Sequence, residues 1–514
     1  MSKTGKNSYG QILKSSALTG GSSVVSVCLG IVRTKAVALI LGPAGVGLFG
    51  LYGSVQDLTR SIAGLGINNS GVRQIAEAVG SGDAQRVAKT VTVLRRVAFC
   101  SGALGALLLL LLCKPVAWLT FNDYQHAGAV ALLALAVFFG DISAGQAALV
   151  QGMRRIADLA KMNVLGAIYG TVFSILIIYG FYRQGMAEKG IVPALVCVAG
   201  MSILTSWWYA RKIKVERVSL TMREVTDETR ALLKLGLVFM ASMLMTLGAG
   251  YLIRIVILRE LDIQAAGHFQ AAWALGSYYV GFILQAMGAD FYPRLTAVAN
   301  DNAECNRLVN EQAEVGLLLA GPGVLATLTF APLIIELFYS SKFGPAVEIL
   351  RWICLGMTLR VASWPMGFII LAKGARKLFF WSELAINLIF LGLVWVGVLV
   401  FGLKGTGIAF LAMYVVYWIG IYCVVRRLSG FRWSAANKQV ALVFLPLVAA
   451  VFIGWNIFHP LAPMTTVIVC ALVTVFAGIY SLKTLCALIP LERLPAIAQK
   501  LIRLFRLAPA DLNR

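Results

Sequence analysis

Residues 15–66 read SSALTGGSSVVSVCLGIVRTKAVALILGPAGVGLFGLYGSVQDLTRSIAGLG, and the fold follows from what such a stretch can do. Two long apolar runs, 12–41 and 45–67, flank the glycine-rich segment Gly42-Pro43-Ala44-Gly45-Val46-Gly47. A helix needs about 20 residues to cross a hydrocarbon core of about 30 Å. Inside lipid every backbone polar group must be paired within its own segment, so two α-helical spans joined by a tight turn are the expected structure. Small residues in the turn let two backbones approach closely. The second run follows the first directly, with no small-residue cleavage site between them, so an uncleaved first span is expected rather than a signal peptide.

The rest of the chain repeats this pattern. Of 514 residues 59% are hydrophobic and 13% charged, with a mean hydropathy of +0.82, against roughly 25% charged residues in a soluble domain. About 14 spans are expected, the later ones centred on apolar runs such as 126–152, 313–340, 346–372 and 463–487. The fold class is therefore an all-α polytopic membrane protein. Nine scattered cysteines with no C-x-x-C pair imply neither a disulfide framework nor a metal site.

The net charge of +22 has a topological reading. With span ends counted among the connections, 33 of the 45 Lys and Arg fall on alternate connections and the tail, 6 on the opposite connections, and 6 within spans. The positive-inside rule then puts both termini in the cytoplasm and removes the need for a nucleic-acid partner. The segment 488–507 carries Arg493, Lys500, Arg503 and Arg506 among Leu and Ile, which suits a helix on the anionic inner leaflet or an equally plain solvated tail.

Sliding the chain by 220 residues lays Gly47-Leu48-Phe49 on Gly267-His268-Phe269, brings Arg33 within one position of Arg254, and sets Val72-Arg73-Gln74 on Tyr292-Pro293-Arg294. Two six-helix lobes are expected, 1–230 and 231–430, followed by residues 431–514 with helices 13 and 14 and a basic cytoplasmic tail. An even number of spans per lobe relates them by a pseudo-two-fold axis along the membrane normal.

A charge at the bilayer centre costs about 2.5–3.5 kcal/mol on insertion scales, which makes intramembrane charges functional candidates. Arg33 and Lys35 fall in span 1, Asp57 and Arg60 in span 2, Asp141 in span 4, Arg254 in span 7, Asp290 in span 8, Arg351 and Arg360 in span 10, and Glu383 in span 11. Each has a structural alternative. Asp57 and Arg60, three apart, can neutralise each other, and Lys35 and Asp290 are close enough to span ends to snorkel. Arg33, Arg254 and Arg360 have no acid within one helical turn, so each either faces an aqueous cavity or pairs with a distant acid such as Asp141. Arginine holds phosphate through two parallel hydrogen bonds, which favours an anionic or phosphorylated cargo. The candidate binding set is Arg33, Arg254, Arg360, Arg60 and Lys35. Asp57, Asp141 and Asp290 are candidates for ion coupling or salt bridges. No P-loop, catalytic constellation, metal cluster or cofactor motif is expected, so the chain reads as a transporter and not an enzyme.

The stretch from Ser15 to Gly66, with Gly30-Ile31-Val32-Arg33, Leu41-Gly42-Pro43-Ala44-Gly45 and Leu65-Gly66, resembles the first two helices of bacterial O-antigen and polysaccharide flippases of the Wzx type. These belong to the multidrug/oligosaccharidyl-lipid/polysaccharide exporter superfamily. Phe291-Tyr292-Pro293-Arg294-Leu295 is similar to the end of that family's eighth helix. Pro332 to Tyr339, with Phe343 and Ala346 to Leu350, is similar to its turn from helix 9 into helix 10. The likeness spans most of residues 10–430. It implies a flippase that moves an undecaprenyl-pyrophosphate-linked oligosaccharide to the periplasmic leaflet of the inner membrane, for O-antigen, capsule or exopolysaccharide synthesis. A polysaccharide polymerase and a chain-length regulator are the protein partners it implies. By position, Arg33 and Arg254 would meet the pyrophosphate. Lipid II flippases of the superfamily usually carry an acid directly after the first-helix arginine; Thr34 stands there in this chain. The alternatives are an ion-coupled drug or metabolite antiporter of the same superfamily and a lipid II flippase.

Overall fold

The computed structural model describes residues 3–215, 218, 221–458 and 461–488; the basic segment expected to lie on the inner leaflet falls largely outside them. Helices account for nearly all of the described chain, and no strand occurs among the described residues. In order they are α1 (Lys3–Ala63), α2 (Ile67–Gly80), α3 (Ala84–Leu111), α4 (Cys113–Phe121), α5 (Ala127–Gly152), α6 (Ile156–Arg183), α7 (Ile191–Ala210), α8 (Met222–Glu260), α9 (Ile263–Ala297), α10 (Asn302–Thr329), α11 (Ala331–Phe338), α12 (Gly344–Ala372), α13 (Arg376–Phe401), α14 (Gly405–Ser429), α15 (Ala435–Ile453) and α16 (Pro463–Leu488).

Among the described residues, ten helical stretches are long and apolar enough to cross a membrane. Two of them, Gly20–Ala63 and Arg376–Ser429, each take in two expected spans, and α8 and α9 lie at the seventh and eighth. The first two spans form one helical run broken at Gly42 (φ 66°, ψ −162°), directly before Pro43. A positive φ suits glycine, and proline cannot donate a backbone hydrogen bond, so the helix must break there. Leu107, Leu111, Leu176, Leu388, Val400, Leu472 and Val475 all point outward. Such an extensive apolar exterior is what lipid requires.

The chain divides into two compact units, Met1–His268 with Phe338–Lys342, and Phe269–Leu337 with Phe343–Arg514. In the first unit α8 packs along α1 and α2. A Cβ on Gly66 would sit 2.1 Å from the Gly236 carbonyl oxygen, and one on Gly236 2.2 Å from the Leu65 oxygen. Gly66 also adopts φ 64°, so both conformation and contact demand glycine. The glycine-rich turn uses the same device: a Cβ on Gly47 would lie 2.4 Å from the Ile263 oxygen, and one on Gly267 1.9 Å from the Pro43 oxygen. Association within lipid depends on such close packing because no hydrophobic driving force acts between helices there.

Polar ties hold α8 at both ends. At its start Thr221 and Glu224 form a capping box, and Glu224 Oε1 accepts from Lys89 Nζ at 3.2 Å. The Thr221 backbone amide, then its hydroxyl, then Lys89 hold the Glu224 carboxyl down at about 2. Near the other end the Tyr251 hydroxyl meets that of Thr120, and Arg259 donates to the carbonyls of Trp118 and Leu119.

In the second unit α12 packs against α10 and α14, and α10 against α15 and α16. Buried Asn310 and Asn437 fasten α15: the Asn437 side-chain amide donates to the Asn310 backbone oxygen at 2.8 Å, and Asn310 Oδ1 accepts from the Ser434 amide at 2.8 Å.

Candidate functional site

The first unit gathers Arg33, Lys35, Asp57, Arg60, Asp141 and Arg254, which are four bases and two acids on three helices. Arg60 on α1 reaches α5, where its Nε lies 3.5 Å from Asp141 Oδ1 and its Nη2 donates to the Gly140 oxygen at 3.0 Å. Asp141 is 5% exposed and Arg60 31%. Glycines make the seat. A Cβ on Gly140 would fall 2.5 Å from Arg60 Nε, one on Gly102 3.3 Å from Asp141 Cβ, and one on Gly64 3.6 Å from Asp141 Oδ1. Helices α1, α3 and α5 can therefore converge around an ion pair that bulkier residues would exclude.

Asp57 lies one turn before Arg60, is exposed over the residue as a whole, and is within electrostatic reach of both Arg60 and Arg254. Arg254, partly buried, donates from Nη1 to the Gly250 oxygen at 2.8 Å. This bond orders one part of its fork, and the guanidinium stays within electrostatic reach of Asp57. Arg33 folds across the Gly42 break, its guanidinium 5.5 Å from the centre of the Phe49 ring, within cation–π range. Lys35 is partly buried two positions on. The hydroxyl of Thr34 donates to the Gly30 oxygen at 2.9 Å and is committed to the backbone.

The remaining two candidates belong to the second unit. Asp290 pairs with Arg294 one turn along α9 at 3.2 Å, with side chains 77% and 57% exposed. Exposed pairs of this kind contribute about 0–1 kcal/mol. Arg360 is partly buried on α12, and the one hydrogen bond of its side chain among the described residues runs from Nη1 to the Met357 thioether at 3.9 Å.

Two features escaped the sequence reading. The partner of Arg60 is 81 positions away on another helix, and nothing local announces it. Tyr414 and Tyr417 on α14, with rings 6.1 Å apart at 84°, stand within electrostatic reach of Arg360 and Glu383. Their only sequence signal is two hydroxyl-bearing aromatics three apart in an apolar helix.

This architecture, with lipid-suited helices enclosing a basic polar cluster, is that of a flippase-like, multi-pass membrane transporter. Solved structures share the fold: an inward-facing multidrug resistance MATE family transporter of the MOP superfamily (TM-score 0.66, 17% identity, 80% of this chain and 96% of that one) and the lipid II flippase MurJ in an inward closed conformation (TM-score 0.65, 13% identity, 91% and 98%). The lipid III flippases of Escherichia coli strain K12 and Shigella flexneri are each 22% identical over 431 residues, covering 81% of this chain and 99% of theirs. The chain belongs to the polysaccharide biosynthesis protein family, whose family model matches residues 36–348. Its relatives are flippases and transporters, not enzymes.

Proposed function

We propose that this protein flips a lipid-linked oligosaccharide, an undecaprenyl-pyrophosphate-bound repeat unit, from the cytoplasmic to the periplasmic leaflet of a bacterial inner membrane, with both termini cytoplasmic. The cargo serves surface polysaccharide synthesis of the O-antigen, capsule or exopolysaccharide kind. The observation that carries this reading is the basic character of the first unit's intramembrane cluster, in which Arg33, Lys35, Arg60 and Arg254 outnumber Asp57 and Asp141. A charge at the bilayer centre costs about 2.5–3.5 kcal/mol on insertion scales, so a cluster with more bases than acids suits an anionic headgroup. Arginine forks match the oxygens of a pyrophosphate. Relatives that flip lipid III, and the family match itself, support the same class of cargo.

Export of an anion is also favoured by a membrane negative inside, by about 2.3 kcal/mol per charge per 100 mV. The sugars and phosphates traverse a hydrophilic cavity by alternating access while the prenyl chain stays in lipid. The test is complementation of a strain lacking the protein. Arg33→Ala and Arg254→Ala variants are expected to insert at wild-type levels yet abolish surface polysaccharide. Normal polysaccharide with both variants would overturn the assignment of these residues. Thr34, with its hydroxyl spent on the backbone, stands where lipid II flippases usually carry an acid, which favours an oligosaccharide other than that of lipid II.

A further inference from the structure

Within the second unit, three helices bring together four polar side chains that find no strong partner among the described residues. Arg360 lies midway along α12, Glu383 two turns into α13, and Tyr414 and Tyr417 midway along α14; all four are partly exposed rather than sealed. Helical spacing explains the convergence. On α14, Phe410, Tyr414 and Tyr417 share a face. Phe410 meets Phe390 of α13 at 5.9 Å between centroids and Tyr414 at 4.9 Å. Phe390 is two turns from Glu383 on the same face of α13. Gly367 is likewise two turns from Arg360 on α12, and a Cβ there would come within 3.2 Å of the Tyr417 hydroxyl.

Among the described residues the Glu383 carboxylate has no hydrogen-bond or ion-pair partner, although its backbone oxygen accepts from Asn387. Among the described residues the only acceptor for the Arg360 guanidinium is a thioether, a weak one. Among the same residues neither tyrosine hydroxyl is hydrogen-bonded, and none of these polar atoms is among those cut off from their surroundings. Unanswered polar groups in an apolar setting are costly, and when open they are answered by water or a ligand.

The donor set narrows the ligand. Arg360 disfavours a metal cation at the same place, and Glu383 disfavours a phosphate or a uronate. Together they offer a donor-only group, an acceptor-only group and two hydroxyls that do both, flanked by aromatic rings. We infer that Arg360, Glu383, Tyr414 and Tyr417 form a subsite for an uncharged, hydroxyl-rich sugar residue of the cargo. The carboxylate accepts from adjacent sugar hydroxyls, the guanidinium donates to a ring or acetamido oxygen, and the partly exposed ring of Tyr414, backed by buried Phe410, supplies an apolar wall. This inference rests on the lipid-linked oligosaccharide reading and assigns sugar recognition to groups distinct from those proposed to hold the pyrophosphate.

The experiment measures binding to the full-length protein in nanodiscs. The probes are farnesyl pyrophosphate and the same lipid bearing a hexose, an N-acetylhexosamine, a 6-deoxyhexose or a uronic acid. The wild-type protein is expected to bind at least one neutral-sugar probe about tenfold more tightly than the bare lipid, with no gain for the uronic acid. Glu383→Leu removes that gain, and Tyr417→Phe, which keeps the ring, reduces it several-fold. Both variants keep wild-type thermal midpoints and bind the bare lipid within twofold of wild type. Bare-lipid binding with no neutral-sugar gain, or a gain that survives both variants, overturns the subsite. A Glu383→Leu protein that keeps the gain and loses only a pH dependence of transport shows a proton site instead and also overturns it. Failure of the wild-type protein to bind any pyrophosphate lipid defeats the flippase reading itself, and this inference with it.

Discussion

The Arg60–Asp141 pair offers the sharpest test of how the first unit tolerates charge. At 3.5 Å, two unit charges attract by about 5 kcal/mol at an effective dielectric constant near 20. Desolvation offsets much of this, yet removing one partner from a buried pair still costs about 3–5 kcal/mol because the other charge is stranded. Asp141→Asn keeps the shape and leaves Arg60 without its counter-charge. Arg60 retains 31% exposure, so the low end, about 3 kcal/mol, is expected. Arg60→Gln strands the more deeply buried acid and should cost about as much. The double variant Arg60→Gln/Asp141→Asn replaces the ions by neutral amides in the same glycine-lined seat, and should cost at least about 2 kcal/mol less than the two single losses combined. Free energies from reversible unfolding in mixed detergent micelles give all four corners of the cycle. Losses that add within about 0.5 kcal/mol would refute the pair as an energetic unit and return Asp141 to the ion-coupling candidates.

The cap at the start of α8 predicts a pH effect. Glu224 is held at about 2, below the ordinary glutamate value of about 4.3. Its folded value is depressed, so its stabilisation is present above about 4.3 and is lost as pH falls through about 2. Thr221→Ala removes the hydroxyl and should raise the Glu224 value, moving the acid-unfolding midpoint upward as followed by tryptophan fluorescence; an unmoved midpoint would count against the capping box. Gly66→Ala should destabilise by about 2–4 kcal/mol, combining left-handed backbone strain of about 1–2 kcal/mol with a collision against the Gly236 carbonyl 2.1 Å away. Gly53→Ala, where a Cβ meets nothing within 4 Å, should leave the thermal midpoint unchanged or slightly raised, and equal losses at both positions would argue against the close approach of α8.

The span-forming helices were legible in the sequence because run length and apolarity act locally. The break at Gly42-Pro43 was legible for the same reason, since the two residues carry it themselves. Whole-chain assembly was not. Gly66 and Gly236 are 170 positions apart, and only the folded chain shows that each is small for the other's sake. Sequence spacing offered Asp57 as a neighbour for Arg60, whereas the ion-pair distance belongs to Asp141 on α5. Spacing along one helix cannot reveal what a second helix presents. Glu383 was visible as an intramembrane charge, but its setting depends on α12 and α14 meeting α13, and the tyrosines that complete it look like ordinary aromatics in an apolar span.

The two ends of α8 are fastened by different chemistry. One end carries Lys89 and Glu224, whose side chains are 27% and 42% exposed; the other rests on a buried hydroxyl pair and on bonds to neutral carbonyls. Dissolved electrolyte shortens the reach of the first kind of contact, to about 10 Å at 0.1 M and 3 Å at 1 M, and has little hold on the second. Raising ionic strength therefore loosens this helix from its starting end alone, and an experimenter gains a reversible handle on one face of the transporter without altering a residue.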